Sequence, residues 1–464
     1  MKPIIKPLTT LAALAVCSAL QGCASVSPAI DSQANHAVVQ QAPSDYKVPA
    51  YTVPAATDVV LYQVNIRAFS ESGDFKGVEQ RLDHIQALGV NMIYLMPIYP
   101  IGKEKGINSP YSITSHRRVN PEFGTLADLQ SLVKSAHQRG LGVMLDFIPN
   151  HTAWDHPWLT AHPDWYVRHD DGTPLNPHGW GDVIQLNFNN PDLRKALIDD
   201  MTFWVREAGI DGFRFDYSDG PSVDFWHQAV SALRNSSTRQ LVLLAEGSRN
   251  ENFETGVDFN FGFGFFDRLK DIFGGESAKH IDDWQQTENK LSNNHQRVVR
   301  YTTNHDVNGS DGTPEQLFGG TQGALAAFVT AAFMRSTPMI YNGQEIGLPY
   351  RLTFPFTEQN INWQPNPDVT AKYRALIALF NQHQALRTGS LSTHSSKDVV
   401  AYTRTSDEET IVVLVNTRES ASTYTLPEAI SNSRWLDLLS EQHVSKQDSV
   451  VLGPYEYRIL KQQR

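Results

Sequence analysis

From residue 58 onward the chain alternates short apolar runs with longer segments whose apolar residues recur at helical spacing. Residues 59–64 predict a strand. Residues 78–88 carry Val78, Leu82, Ile85 and Leu88 on one helical face, and Gly89 closes them. Residues 90–95 predict the next strand, stopped by Pro97. Residues 126–139 predict a helix closed by Gly140, and residues 141–146 a third strand. Strands that are apolar along their whole length, with helices between them, imply a parallel sheet covered on both faces. The alternation continues past residue 340, too many units for a small doubly wound domain, so a (β/α)8 TIM barrel is expected over residues 57–384. After about residue 385 the rhythm changes. Residues 399–404, 410–416 and 450–460 read as strands without long helices between them, an antiparallel β-sandwich domain over residues 385–464.

Polar residues interrupt this pattern at the ends of strands. In Gly212-Phe213-Arg214-Phe215-Asp216 the side chains of Arg214 and Asp216 point the same way, because successive strand residues alternate faces. An arginine beside it can hold an aspartate ionised and oriented, as a nucleophile requires. A structural ion pair in a core would show the same spacing. Asp146, Asn150 and His151 follow the third strand. Glu246 ends the apolar run 241–245, and His305 and Asp306 follow residues 298–303. Strand ends of a barrel converge on one face, where active sites lie. Carboxylates crowded there should raise the pKa of at least one of them. One ionised and one protonated carboxyl across a scissile bond is what glycoside hydrolysis needs.

The remaining chain changes this picture only at its amino end. The composition, 41% hydrophobic and 19% charged over 464 residues, is that of an ordinary globular protein, and a net charge of −11 argues against a nucleic-acid partner. Residues 1–22 have a basic start (Lys2, Lys6) and an apolar run too short to span a bilayer, which reads as a signal peptide. It ends Leu20-Gln21-Gly22-Cys23, which resembles a bacterial lipoprotein signal with lipid on Cys23; an ordinary secretory signal is the alternative. Ala24 is not the aspartate associated with inner-membrane retention, so the expected location is the outer membrane, reached through the lipid anchor only. Residues 23–56, rich in Ala, Ser, Gln, Val and Pro, read as a flexible tether. The other cysteine, Cys17, lies in the segment that would be removed, so no disulfide is expected.

Taken in order, the segments around Asp146–His151, Arg214–Asp216, Glu246 and Asn304–Asp306 resemble the conserved regions of the α-amylase family of retaining glycoside hydrolases and transglycosylases. Residues 89–97, 109–125 and 337–345 resemble that family's strand-two, following-loop and strand-eight signatures. The resemblance implies Asp216 as nucleophile, Glu246 as general acid/base and Asp306 as a transition-state stabiliser that holds sugar hydroxyls. It implies that Arg214 orients Asp216, that His151 and His305 bind the sugar, that Tyr111 stacks on its ring, and that Asp146 anchors the site. The substrate it implies is a starch-type α-glucan or maltooligosaccharide. Residues 151–190 take the place of the family's domain B; their Trp154, Trp158, Trp165, Tyr166 and Trp180 are divided between sugar stacking and the insertion's own core.

The chain also departs from the family. Many members carry a Lys-His pair where this chain has Asp219 and Gly220, so acceptor-side contacts differ. Asn150 matches a calcium-ligand position, which makes Ca2+ an expected metal, although its usual histidine partner is replaced. The loop at residues 70–74 lacks the pattern of a second calcium site. A 4-α-glucanotransferase, an α-1,6-acting or cyclodextrin-acting enzyme, and a non-catalytic glycan-binding lipoprotein are the competing readings. There is no phosphate-binding glycine loop and no zinc motif, and Gly262-Phe263-Gly264 lacks the third glycine of a dinucleotide fingerprint.

Overall fold

The computed structural model describes residues 50–364 and 366–463. The signal peptide, Cys23 and residues 23–49 of the expected tether lie outside them. The tether's last residues behave differently from a spacer. The Tyr51 ring stacks on His137 at 4.6 Å, and Val53 and Ala56 are buried, so folded packing begins before residue 56.

Eight parallel strands close into a barrel: β1 (Leu61–Val64), β2 (Met92–Leu95), β3 (Gly142–Phe147), β4 (Gly212–Phe215), β5 (Val242–Ala245), β6 (Phe259–Phe261), β7 (Arg297–Arg300) and β8 (Ser336–Tyr341), with β8 pairing back onto β1. Each strand is buried along its whole length, as its apolar run requires. Gly212 opens β4 because a Cβ there would lie 2.0 Å from the Val242 carbonyl oxygen of β5. Phe215 packs outward on Trp226 of the covering helix Val223–Ser236, which leaves Arg214 facing the barrel interior.

The helix Leu126–His137 shows how the covering layer is specified. Thr125 and Asp128 form a reciprocal capping box, and Leu129, Leu132, Val133 and Ala136 recur on the buried face. The helix expected over residues 78–88 is two pieces, Phe75–Glu79 and Leu82–Ala87. Arg81 leaves helical geometry at the break, and its guanidinium covers the Trp363 ring at 4.5 Å. Val78, Leu82, Ile85 and Leu88 are all buried nonetheless, so the spacing reported the buried face correctly across the break. Strand β6 was not anticipated: it is three residues long, below the length at which a run is distinctive.

Residues 151–190 leave the barrel after β3. The strand His151–Ala153 pairs antiparallel with Val183–Gln185, and Trp158, Trp165 and Tyr166 pack between them and the barrel. Asn190 then caps the returning helix Pro191–Glu207, accepting from the backbone N–H groups of Asp192 and Leu193 at 2.9 and 3.2 Å.

The C-terminal region is a six-stranded antiparallel sheet facing a two-stranded one, Ser422–Thr425 with Ser449–Leu452. The strands Val399–Thr405 and Thr410–Asn416 use their alternation on both faces. Val399, Ala401, Val412 and Leu414 meet the small sheet, while Val400, Tyr402, Ile411, Val413 and Val415 join the barrel core. Among the described residues, no helix is long and apolar enough to cross a membrane.

Candidate active site

The C-terminal ends of the barrel strands open into a cleft of about 600 Å3, lined among others by Tyr111, His151, Trp180, Arg214, Asp216, Glu246, His305 and Asp306. Asp146 lies beneath it, fully buried at the end of β3. The pairing of β3, β4 and β5 explains the grouping. Asp146 is in register with Arg214 and Phe215 with Ala245, so Asp216 and Glu246 leave adjacent strands side by side.

Arg214 is the hub. Its Nη1 donates to Asp146 Oδ1 at 2.7 Å and to Asp216 Oδ1 at 3.0 Å, and its Nη2 pairs with Glu246 Oε1. One guanidinium therefore fixes both carboxyls that the sequence singles out, rather than Asp216 alone. The second oxygen of Asp216 faces the cleft, with His151 Nε2 at 4.0 Å as its near polar neighbour. Glu246 Oε2 accepts the backbone N–H of Tyr217 at 2.7 Å. Tyr217 reaches it through a left-handed backbone, φ 43°, a conformation that costs a bulky residue strain.

Burial dominates the charge states. It pushes Glu246 up to about 8, with Arg214 opposing and the charges of Asp216 and Asp306 adding to it. It pushes Asp216 up to about 7, again against Arg214. Asp146 rises to about 6 for the same reason. Burial raises both carboxyls, and the two titrate as a pair that gives up a first proton while it still holds the second. Burial pushes His305 down to about 4 and His151 down to about 3, so both are neutral donors or acceptors.

A hydrogen-bonded chain fixes the His305 tautomer. Gln63 Nε2 donates to Nδ1 at 2.8 Å, leaving the proton on Nε2, which meets the Tyr111 hydroxyl at 2.6 Å. Tyr111 in turn donates to Asp146 Oδ2 at 3.0 Å, beside Tyr94 at 2.9 Å. The Tyr111 ring also stacks on His305 at 5.4 Å. Asp306, 53% exposed at its side chain, sits at the start of the helix His305–Ser310 with Oδ1 3.3 Å from His305 Nε2. Gln63, Tyr94 and the Tyr217 N–H were not anticipated. A glutamine inside the apolar run 59–64 was the available sign for the first; the other two act through register and backbone geometry.

Of the inserted segment's aromatics, Trp180 lines the cleft, 39% exposed, with its ring 5.7 Å from His151. Trp158 stacks on His116 and meets Trp165 edge-on, both in packing positions. Asp219 is absorbed by the loop after β5, accepting from Ser248 N at 2.9 Å and Asn252 Nδ2 at 2.9 Å.

The surroundings of Asn150 do not fit a calcium ion. Gln185 Nε2 sits among three oxygens, Asn150 O at 3.0 Å, Asn150 Oδ1 at 2.9 Å and Leu186 O at 3.2 Å, which share its two N–H donors. An amide nitrogen thus stands where converging oxygens would otherwise hold a cation. Gly220 closes the other side, since a Cβ there would lie 2.3 Å from Asn150 Oδ1. Calcium takes 6–8 oxygens, carboxylates among them. Among the described residues, no cluster of three or more His, Cys, Asp or Glu is placed to hold a metal.

The whole chain can now be set beside known proteins. The family model for the alpha amylase catalytic domain matches residues 61–185 and 179–372, and that for the maltogenic amylase C-terminal domain matches residues 390–459. Alpha-amylase 3 of Dictyoglomus thermophilum is 23% identical, over 89% of this chain and 95% of that one. A cyclomaltodextrinase of Geobacillus thermopakistaniensis is 26% identical, over 83% of this chain and 69% of that one. The crystal structure of an alpha-amylase from Lactobacillus plantarum superposes with a TM-score of 0.78 at 25% identity, covering 88% of this chain and 99% of that one. With the barrel, the cleft and both matched domains in place, this chain is a glycoside hydrolase that belongs to the α-amylase family.

Proposed function

We propose that the protein hydrolyses α-1,4-glucosidic bonds of starch-type glucans or maltooligosaccharides with retention of configuration. The observation that carries this reading is the shared guanidinium of Arg214, which sets Asp216 and Glu246 side by side with one cleft-facing oxygen on Asp216. Asp216 Oδ2 attacks the anomeric carbon while Glu246 gives its proton to the glycosidic oxygen, and the bond to the leaving sugar breaks. Glu246, now ionised, takes a proton from water. The water oxygen attacks the same carbon and releases Asp216. Retention asks for carboxyls about 5–5.5 Å apart. The names of the amylase and cyclomaltodextrinase relatives support an α-glucan substrate, and the latter favours cyclodextrins as a second one.

The product profile on soluble starch, maltotriose, pullulan and a cyclodextrin tests the substrate, and proton NMR of the first-formed sugar tests the mechanism. An α-anomer appearing first is expected. A β-anomer would mean inversion and would remove the nucleophile role from Asp216. Cleavage of pullulan alone would replace the α-1,4 assignment. Anchoring belongs to the same proposal: residues 1–22 direct export and are removed, and lipid on Cys23 holds the protein at the outer membrane. Cys23→Ser should abolish lipid labelling; labelled, membrane-bound Cys23→Ser protein would refute it.

A further inference from the structure

Two apolar side chains stand at the mouth of the cleft. Ile107, on the loop after β2, is 57% exposed, and Phe354, on the loop after β8, is 48% exposed; both line the cavity. A single exposed apolar residue is ordinary. These two are held in place by one buried side chain. Arg67, 7% exposed, donates from Nη1 to the carbonyl of Asn108 at 2.8 Å and to the carbonyl of Pro355 at 3.0 Å. Those carbonyls belong to the residues next in sequence to Ile107 and Phe354. Arg67 Nη2 also donates to Asn108 Oδ1 at 3.3 Å, and the other edge of the guanidinium forks onto Glu122 at 2.7 and 2.9 Å. All five N–H donors of the arginine are used. Asn108 is held at φ 62°, in the left-handed region. On the other loop, Phe354 meets Phe356 edge-on at 5.8 Å, and buried Phe356 lies 6.5 Å from the His305 ring. The mouth is thereby tied to the floor of the cleft.

The place of this pair in the barrel fixes which part of a glucan it meets. Glu246, the proton donor, and its neighbours Tyr217 and Ser248 sit on the loops after β4 and β5, and Phe263 opens the helix after β6. The leaving sugar departs on that side. Ile107 and Phe354 sit on the loops after β2 and β8, and His305 and Asp306 open the helix after β7, the opposite bank.

We propose that Ile107 and Phe354 form an apolar clamp for the second glucosyl unit on the retained side, and that Arg67 is the positioning residue that sets its spacing. The proposal rests on the hydrolase reading above. A pyranose ring presents a C–H face to an aromatic or aliphatic partner, and a rigid clamp binds it without the cost of ordering two loops. The ligand class is therefore an α-glucan with at least two retained glucosyl units.

The test compares p-nitrophenyl α-maltoside with p-nitrophenyl α-glucoside. They share a leaving group and differ only in the second retained sugar. The measured quantity is the ratio of their kcat/KM values. In F354A and I107S this ratio should fall about tenfold, the scale of one lost stacking contact, with the change carried by KM for the maltoside. F354W should restore it. R67K, whose ammonium cannot reproduce the fork, should lower the ratio similarly, and F354A introduced into R67K should lower it little further. A ratio unchanged in F354A and I107S overturns the clamp, and an R67K effect fully additive with F354A overturns the positioning role. Ile107 and Phe354 are exposed, so those variants fold whatever happens to R67K. Wild-type protein that cleaves neither substrate, nor any maltooligosaccharide, would instead overturn the hydrolase reading itself.

Discussion

Strand β4 carries an aspartate just beyond each end, and the two could hardly differ more. Asp211 precedes Gly212 and is fully buried. Its Oδ2 accepts from Val143 N at 2.9 Å and meets His137 Nε2 at 2.7 Å, while Oδ1 pairs with Arg239. Asp216 follows Phe215 at the other end. Its Oδ1 shares an Arg214 nitrogen with Asp146, and its Oδ2 has His151 only at 4.0 Å. Both are buried acids beside an arginine. One has every oxygen answered by a donor and ties β3, β4, the helix Leu126–His137 and the segment before β5 together. The other keeps an oxygen turned to an open cleft, where burial holds its proton affinity high. Residue type and burial are therefore silent about role; what separates these two aspartates is the oxygen that Asp216 keeps without a close donor and turned to the cleft.

Exchanging each acid is the sharpest way to break that contrast. Asp216→Ala should abolish turnover on every substrate, a loss of at least about 10^4-fold in kcat, while the melting temperature holds or rises. Glu246→Ala should keep slow glycosylation with a fluoride leaving group, which needs little protonation. Turnover of maltooligosaccharides by Asp216→Ala within tenfold of wild type would make Asp216 a second fastener.

Asp211→Asn should do the reverse. It leaves Arg239 and His137 facing an amide in a closed site, and breaking a buried pair costs about 3–5 kcal/mol. Urea unfolding should show that loss. Specific activity of the protein that remains folded should stay near wild type, because Asp211 lies at the end of the barrel away from the cleft. A loss of kcat without a loss of stability would refute the division of roles.

The pH dependence separates them further. The folded-state carboxyls of Glu246 and Asp216 are raised, to about 8 and about 7 from 4.5 and 3.8. The folded state then binds these protons more tightly than the unfolded chain. The stability they contribute is fully present below about pH 4 and is lost as pH rises through 7 to 8. Glu246→Gln, which cannot ionise, should melt at nearly the wild-type temperature at pH 4.5 and above it at pH 8, by roughly 3 °C or more. Activity should be bell-shaped, with limbs that belong to the pair rather than to either residue. A Glu246→Gln advantage that shrinks with rising pH would contradict the raised values.

How much of this the sequence revealed follows the same line. Barrel strands are buried on both faces, so β1, β2, β3 and β5 showed as apolar runs, while β4 and β7 were marked by the polar residues in and after them and β8 by the family signature over residues 337–345. Strand β6 was too short to show. Roles that depend on a distant partner were invisible. Arg67 is 41 residues from Asn108 and 288 from Pro355, and nothing local marks their meeting. The Tyr217 N–H is a backbone group aimed by a single dihedral angle. Asp211 and Asp216, five residues apart, look alike in the sequence because the difference lies in donors contributed by other elements.

Gln185 gives the smallest effect and the last test, because it applies the donor count to a site where the family resemblance suggested a metal. Its Nε2 answers three oxygens of Asn150 and Leu186, and so joins the strand Val183–Gln185 to the start of the inserted segment. If that nitrogen does the work of a cation, a chelator should leave the wild-type melting temperature unchanged to within about 1 °C. Gln185→Glu replaces the donor with a carboxylate among acceptors. It should cost about 1–3 kcal/mol, the range for buried polar groups left without partners. The same substitution adds a negative oxygen to three existing ones, which is the chemistry calcium selects. Added calcium should therefore raise the melting temperature of Gln185→Glu and not that of wild type. A wild-type protein that loses several degrees in chelator would show that the oxygens around Asn150 are answered by a metal after all, and that a complete set of hydrogen bonds is not enough to rule one out.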